Sequence, residues 1–121
     1  MIVTVNTSEL LKAAKLTQGA ASKKDSTLIL AGLYIEARHG AMRITGYNLS
    51  AFAQADIAAS TDTGDGTKVE YVVNAASLVK ALSALPKKGN ATLEYVPNED
   101  KKNEGTLHIK AGSASVELPT M

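Results

Sequence analysis

One phrase occurs twice in this chain. VNTSELLKA (5–13) and VNAASLVKA (73–81) align without a gap, share Val, Asn, Leu, Lys and Ala at the same places, and stand 68 positions apart. A repeat constrains a fold more tightly than composition does, because both copies must make the same local structure and bury the same apolar face. Each copy reads as the end of a strand, a cap and an amphipathic helix. Asn6 is a good N-cap with Glu9 three residues on, as in a capping box, and Val5 and Leu10 have the spacing of a hydrophobic staple. Val73, Asn74 and Leu78 repeat the cap and the staple, with Ser77 in place of the glutamate.

The segments after each helix also correspond. TLILAGLYIEA (27–37), AMRITGYN (41–48) and LSAFAQADIAA (49–59) follow the first; NATLEYVP (90–97), GTLHIKAG (105–112) and ASVELPT (114–120) follow the second. Met42 and Ile44 alternate with Arg43 and Thr45, and Leu107 and Ile109 with His108 and Lys110, which is strand periodicity. Gly40 and Gly105 each precede a strand and are expected to form hairpin turns. The order strand, helix, three strands is therefore written twice, in halves of about 1–60 and 67–120. A unit of about 60 residues alone buries too little surface. The expected fold is α+β: one domain over 1–121, a duplicated β-α-β-β-β unit with two helices packed on one side of an antiparallel sheet. STDTGDGT (60–67) joins the halves as a polar turn, and NEDKKNEG (98–105) reads as a charged hairpin tip.

At 100° per residue, Leu10, Ala13, Ala14, Thr17 and Ala21 fall on one side of the first helix, with Lys12, Lys15, Ser8 and Gly19 opposite. In the second helix Leu78, Ala81, Leu82 and Leu85 make the buried stripe, and Lys80 and Ser83 face away. Lys23 and Lys24 follow the first helix; Lys87 and Lys88 follow the second. The net charge of +1 hides a segregation. Residues 7–24 and 75–88 hold seven lysines and one acid, Glu9, whereas the remainder holds six basic residues and eleven acids. Lysines on ordinary helix faces are usually mixed with glutamates at i,i+4, and here those partners are missing. A basic face on small residues, with no aromatic interleaving and no cluster of Arg, Asn or Gln for base edges, suits sequence-blind contact with a duplex phosphate backbone.

Other chemistry finds little footing. With no cysteine, disulfides, thiolate nucleophiles and zinc–thiolate sites are excluded. His39, expected in a turn, and His108, on an outward strand position, have no partners at metal-ligand spacing. DTGDG (62–66) fails the calcium-loop pattern because its third and fifth positions are glycine. Phe52 alternates with Gln54 and Asp56, away from Ala51, Ala53 and Ala55, and reads as a half-exposed sheet residue. The longest apolar run, 28–35, is too short to span a bilayer, and no secretory signal is visible. The expectation is a soluble, non-catalytic, cytoplasmic protein without cofactor or metal.

MIVTVNTSELLKAA, TLILAGLYIEA, GAMRITGYNLS, VVNAASLVKALSALP and GSASVELPT, in that order, resemble the first domain of the bacterial DNA sliding clamp, the beta subunit of DNA polymerase III. RITGYNLS (43–50) is the most specific piece. The resemblance implies a ring around double-stranded DNA, helices inside and sheets outside, that holds the replicative polymerase on its template. It implies DNA contact at Lys24 in the loop after the first helix, with Lys23 beside it, and a channel lined by Lys12, Lys15 and Lys80. Polymerase and clamp loader would dock on later domains, which family chains carry and this sequence, stopping at LPTM, does not. The strand SASVEL (113–118) and the outer side of the second helix are expected to form an edge for self-association, in a nucleoid-associated cytoplasmic protein. The alternative is a solitary clamp-like domain acting as a protein-interaction or regulatory module.

Overall fold

A computed structural model describes residues 1–19, 32–47, 52–62, 66–100 and 104–120. The elements run β1 (Ile2–Asn6), α1 (Thr7–Gln18), β2 (Gly32–Arg38), β3 (Gly40–Tyr47), β4 (Phe52–Thr61), β5 (Val69–Asn74), α2 (Ala75–Ala84), β6 (Asn90–Pro97), β7 (Gly105–Ala111) and β8 (Ala114–Thr120). The strand–helix–three-strand unit is there twice. Residues 27–31 of the expected second strand, and Ala21 of the expected buried stripe, lie outside the described residues.

Both helix starts form as the repeat requires. The Asn6 side chain accepts a hydrogen bond from the Glu9 amide at 3.0 Å, and Asn74 accepts one from the Ser77 amide at 2.9 Å. Each removes one orphan donor from a helix N-terminus. Behind the caps, Val5 and Leu10, and Val73 and Leu78, are buried.

The strands are antiparallel in the order β1-β4-β3-β2-β5-β8-β7-β6, and the sheet closes on itself through β1 and β6. Exchanging the two halves maps this order onto itself. Strand β1 pairs with its own half's β4 and with β6 of the other, while β5 pairs with its own β8 and with β2. The register obeys the same exchange: Val5 lies opposite Ala59 and Ala91, and Val73 lies opposite Thr120 and Leu33. The first strand of each unit is thus shared, which sews the halves into one body.

Inward rows of the strands and the buried sides of both helices form one cluster. Leu33 and Ile35 of β2, Met42 and Ile44 of β3, Leu93 of β6, and Leu107 and Ile109 of β7 meet Leu10, Leu11, Leu78 and Leu82 of the helices. Burying each such side chain is worth roughly 1.5–3 kcal/mol, so aliphatic residues suffice here. Tyr71 is the exception, buried and stacked on Tyr95 with centroids 5.1 Å apart.

The two glycines expected in turns behave differently. Gly40, with φ 108°, closes the two-residue turn of the β2–β3 hairpin, in the left-handed region that favours glycine. Gly105 is instead the first residue of β7, opposite Pro97 and Thr120. A Cβ there would stand 2.5 Å from the Val96 carbonyl oxygen, so its requirement is close backbone approach rather than a turn.

Candidate nucleic-acid interface

Helices α1 and α2 pack against each other, α1 also resting on β3 and β4, and α2 on β5 and β8. Their buried residues are those of the expected stripes, with Thr7, Leu11 and Ala75 added and Ala81 only half-buried. Lys12, Lys15 and Lys80 are exposed on the opposite sides. Lys23 and Lys24 lie outside the described residues. Among the described residues no ion pair engages Lys12, Lys15, Lys80, Lys87 or Lys88.

The basic layer is not uniform. Lys12 lines a groove between α1 and β4 together with Glu9, Leu16, Asp56 and Ile57, so two acidic residues border this part of the layer. Asp56 is 44 positions from Lys12 in sequence, so only the packing of α1 on β4 brings the two to one groove. Arg43 holds Asp56 in a two-pronged pair at 2.9 and 3.2 Å. That hydrogen-bonded pair keeps the Asp56 carboxyl below its ordinary range. Helix α2 and the turn after it carry Lys80, Lys87 and Lys88 with no acid between 75 and 88. The Lys87 ammonium folds back to donate to the Ser83 carbonyl at 3.0 Å.

The outward sheet face carries a second pattern that sequence reading missed. Glu36, Arg43 and Asp56 stand side by side across β2, β3 and β4, and Glu94, His108 and Glu117 stand side by side across β6, β7 and β8. Exchange of the halves maps one row onto the other, an acid, a base and an acid each time. His108 Nδ1 is 3.2 Å from Glu117 Oε1. Lys68 extends the first row by bridging Glu36, at 3.5 Å, and Glu70. Its hydrogen bond, and then that of Tyr34, hold Glu70 below the usual carboxylate range. Burial, and then the bond to Glu70, push the Tyr34 phenol up. The signal for these rows is alternation, yet only register shows which residues are neighbours. Asp56, Glu36 and Glu70 of the sheet therefore pair with cations, while among the described residues no lysine of either helix does.

Two strand edges are open. Among the described residues, Phe52–Ala58 of β4 pair only with β3, and Ala114–Pro119 of β8 only with β7. Their inward rows, Ala53, Ala55 and Ile57 on one and Ala114 and Val116 on the other, are half-buried, where Leu33 and Ile35 of β2 and Leu107 and Ile109 of β7 are buried. The halves exchange these edges as well. At the β4 edge, Phe52 and Leu16 are each 64% exposed, so Phe52 is more open than the half-exposed sheet residue expected. His39 sits in the β2–β3 turn, accepting from the Thr61 amide at 3.2 Å. Among the described residues no three His, Asp or Glu side chains converge to hold a metal, and no helix is long and apolar enough to cross a membrane.

A family model described as the DNA polymerase III beta subunit, N-terminal domain, matches residues 1–121. No curated protein matches the chain. Among solved structures, the DNA polymerase sliding clamp of Caulobacter crescentus superposes with a TM-score of 0.82 at 21% identity, over 100% of this chain and 30% of that one. The DNA polymerase III beta subunit of Thermotoga maritima gives 0.79 at 27% identity, over 99% of this chain and 30% of that one. The Helicobacter pylori beta clamp bound to a DNA ligase peptide gives 0.82 at 20% identity, over 100% and 31%. This chain thus spans about a third of the length of the clamps it resembles.

Proposed function

The chain belongs to the DNA polymerase III beta subunit family, as a match to its N-terminal domain from end to end shows, and from that premise we propose that it forms part of a ring that encircles duplex DNA and tethers the replicative polymerase without catalysis. The observation that carries this reading is the segregation of charge. On the outward sheet face Asp56, Glu36 and Glu70 pair with Arg43 and Lys68, whereas among the described residues no ion pair engages a lysine of either helix. Such a layer attracts phosphates and reads no bases, which is what sliding requires. Lys12, Lys15 and Lys80 face the DNA in this arrangement, and Lys23 and Lys24 join them from the segment after α1.

The two open edges supply the geometry of a ring. A closed ring needs each unit to meet two neighbours, and the half-exchange provides two equivalent edges, β4 and β8. One joins the next domain and the other takes part in self-association. Residues 1–121 act as a single domain in that assembly, and polymerase and clamp loader engage other domains of it. The protein acts in the cytoplasm, at the nucleoid.

Fluorescence anisotropy of a labelled 20-base-pair duplex tests the DNA face. Weak binding that is indifferent to sequence and falls with salt is expected, and Lys12, Lys15, Lys24 and Lys80 changed together to Glu should abolish it while the circular dichroism spectrum is kept. Binding that survives the four reversals sinks the assignment.

A further inference from the structure

The turn after α2 sits where the two helices meet. The Gly89 carbonyl accepts the Thr7 amide at 3.1 Å, so the 86–89 turn is tied to the first residue of α1. On its other side Lys87 folds back onto Ser83, which lies one turn beyond Lys80 on the exposed side of α2. Lys80, Lys87 and Lys88 therefore follow one another along α2 and across to the head of α1, all exposed. No acid lies in the sequence between 75 and 88, and the acid at the head of α1 is Glu9, which lines one groove with Asn90 and another with Lys12 and Asp56.

We propose that Lys87 and Lys88 are phosphate-contacting residues, and that with Lys80 they form the strongest described part of the duplex-binding face. The proposal rests on the reading of the helix layer as the DNA side. A bound turn suits this task because its backbone is already ordered, so a phosphate contact there need not fix a loose loop. The hydrogen bond from Lys87 to a carbonyl near the end of α2 is a C-terminal cap in the free protein. An ammonium has three donors, so the cap leaves two for an anion. Lys88 has no bond among the described residues.

The test is a titration of the isotope-labelled chain, at low salt, with a 20-base-pair duplex, followed by amide NMR shifts and by the salt dependence of anisotropy. Each phosphate contact to B-DNA contributes about 0.9 to the slope of log K against log salt. Lys87 and Lys88 changed together to Glu should lower the slope by about 1–2 and weaken binding at least tenfold, with the amides of 80–89 shifting in the wild-type chain. Lys88→Glu alone spares the helix cap and should lose part of the same slope, which guards against a folding artefact. Lys110→Glu, on the outward face of β7, controls for total charge and should change affinity less than threefold. If Lys12→Glu with Lys80→Glu abolishes binding while Lys87→Glu with Lys88→Glu leaves the slope intact, this proposal fails and the DNA face stands. If neither pair changes binding, or Lys110→Glu weakens it as much, both fail.

Discussion

Gly46 on β3 lies directly beneath the carbonyl of Thr17 at the end of α1. A Cβ built on Gly46 would overlap that carbonyl and press on Leu33 at 3.2 Å. Both contacted backbones are fixed: Thr17 is buried, with its hydroxyl donating to the Ala13 carbonyl at 2.8 Å, and Gly46 is paired to Leu33 and Ala53. Gly46→Ala should therefore push α1 off the sheet, with a loss of about 3 kcal/mol, the upper end for overpacking. Gly66→Ala, which meets nothing within 4 Å, should stay within about 0.5 kcal/mol of wild type. Urea denaturation of both variants checks this, and equal midpoints would overturn it.

That glycine is the centre of RITGYNLS, the stretch that most specifically resembles the clamp family. Its reason was hidden in the sequence, where Gly46 is 29 positions from Thr17. What was legible was local. Caps, staples and alternation each involve residues within a few positions, and the strands at 90–97 and 114–120 form with the expected bounds. Closure of the sheet was not legible, because β1 pairs with β6 across 84 positions at Asn6 and Asn90. The same limit explains Asp56 beside Lys12, the acid–base–acid rows, and the second open edge on β4. All of these depend on register, which the turn chemistry constrains only within hairpins.

The repeated caps offer a test of the duplication. Asn6→Ala and Asn74→Ala each remove one side-chain acceptor from a helix start, at matched distances. Each should cost about 1 kcal/mol. The double variant should lose the sum, as expected of sites without shared partners. Chemical denaturation curves for the three variants decide it; a loss confined to one cap would show that the halves are not equivalent in stability.

Tyr71 sets an alkaline limit. Burial raises its phenol well above the ordinary value of 10.0, because the anion would lose its hydration. In the unfolded chain the same group ionises near that ordinary value. The folded pKa is the higher one, so the stability it confers is complete below about pH 10 and drains away as pH rises further. Thermal unfolding temperature should drop steeply above pH 10, with tyrosinate absorbance from Tyr71 emerging only as the chain unfolds. In Tyr71→Phe the alkaline slope should flatten.

The acid side belongs to the outward rows. Asp56 and Glu70 both have carboxyls held below their ordinary values by hydrogen-bonded cations, Arg43 and Lys68. With the folded pKa lowered, their contribution is present above the ordinary carboxylate range and is lost as pH falls through the lowered values. Asp56→Asn and Glu70→Gln should each flatten the decline of stability on acidification while changing little at pH 7, where exposed pairs are worth little. A pH series of denaturation midpoints measures the difference in slope.

The open edges lead to a prediction about assembly. Ala55 on β4 and Val116 on β8 occupy equivalent inward positions, each on an unpaired strand edge and each half-buried. A neighbouring strand laid along either edge would complete the burial and pair the free backbone groups. Sedimentation velocity should therefore show mass rising with concentration for this chain alone. Val116→Lys places a charge on the inward side of one edge and should suppress that rise, since a buried unpaired ammonium must lose its hydration. Ala55→Lys does the same at the other edge. If contact runs from β4 of one copy to β8 of the next, either change suffices to stop growth, and mixing the two variants restores a single contact through the two intact edges, giving dimers and nothing larger. If instead β8 meets β8, Ala55→Lys leaves association untouched. The size distribution of the mixture therefore distinguishes a head-to-tail ring geometry from a closed symmetric pair.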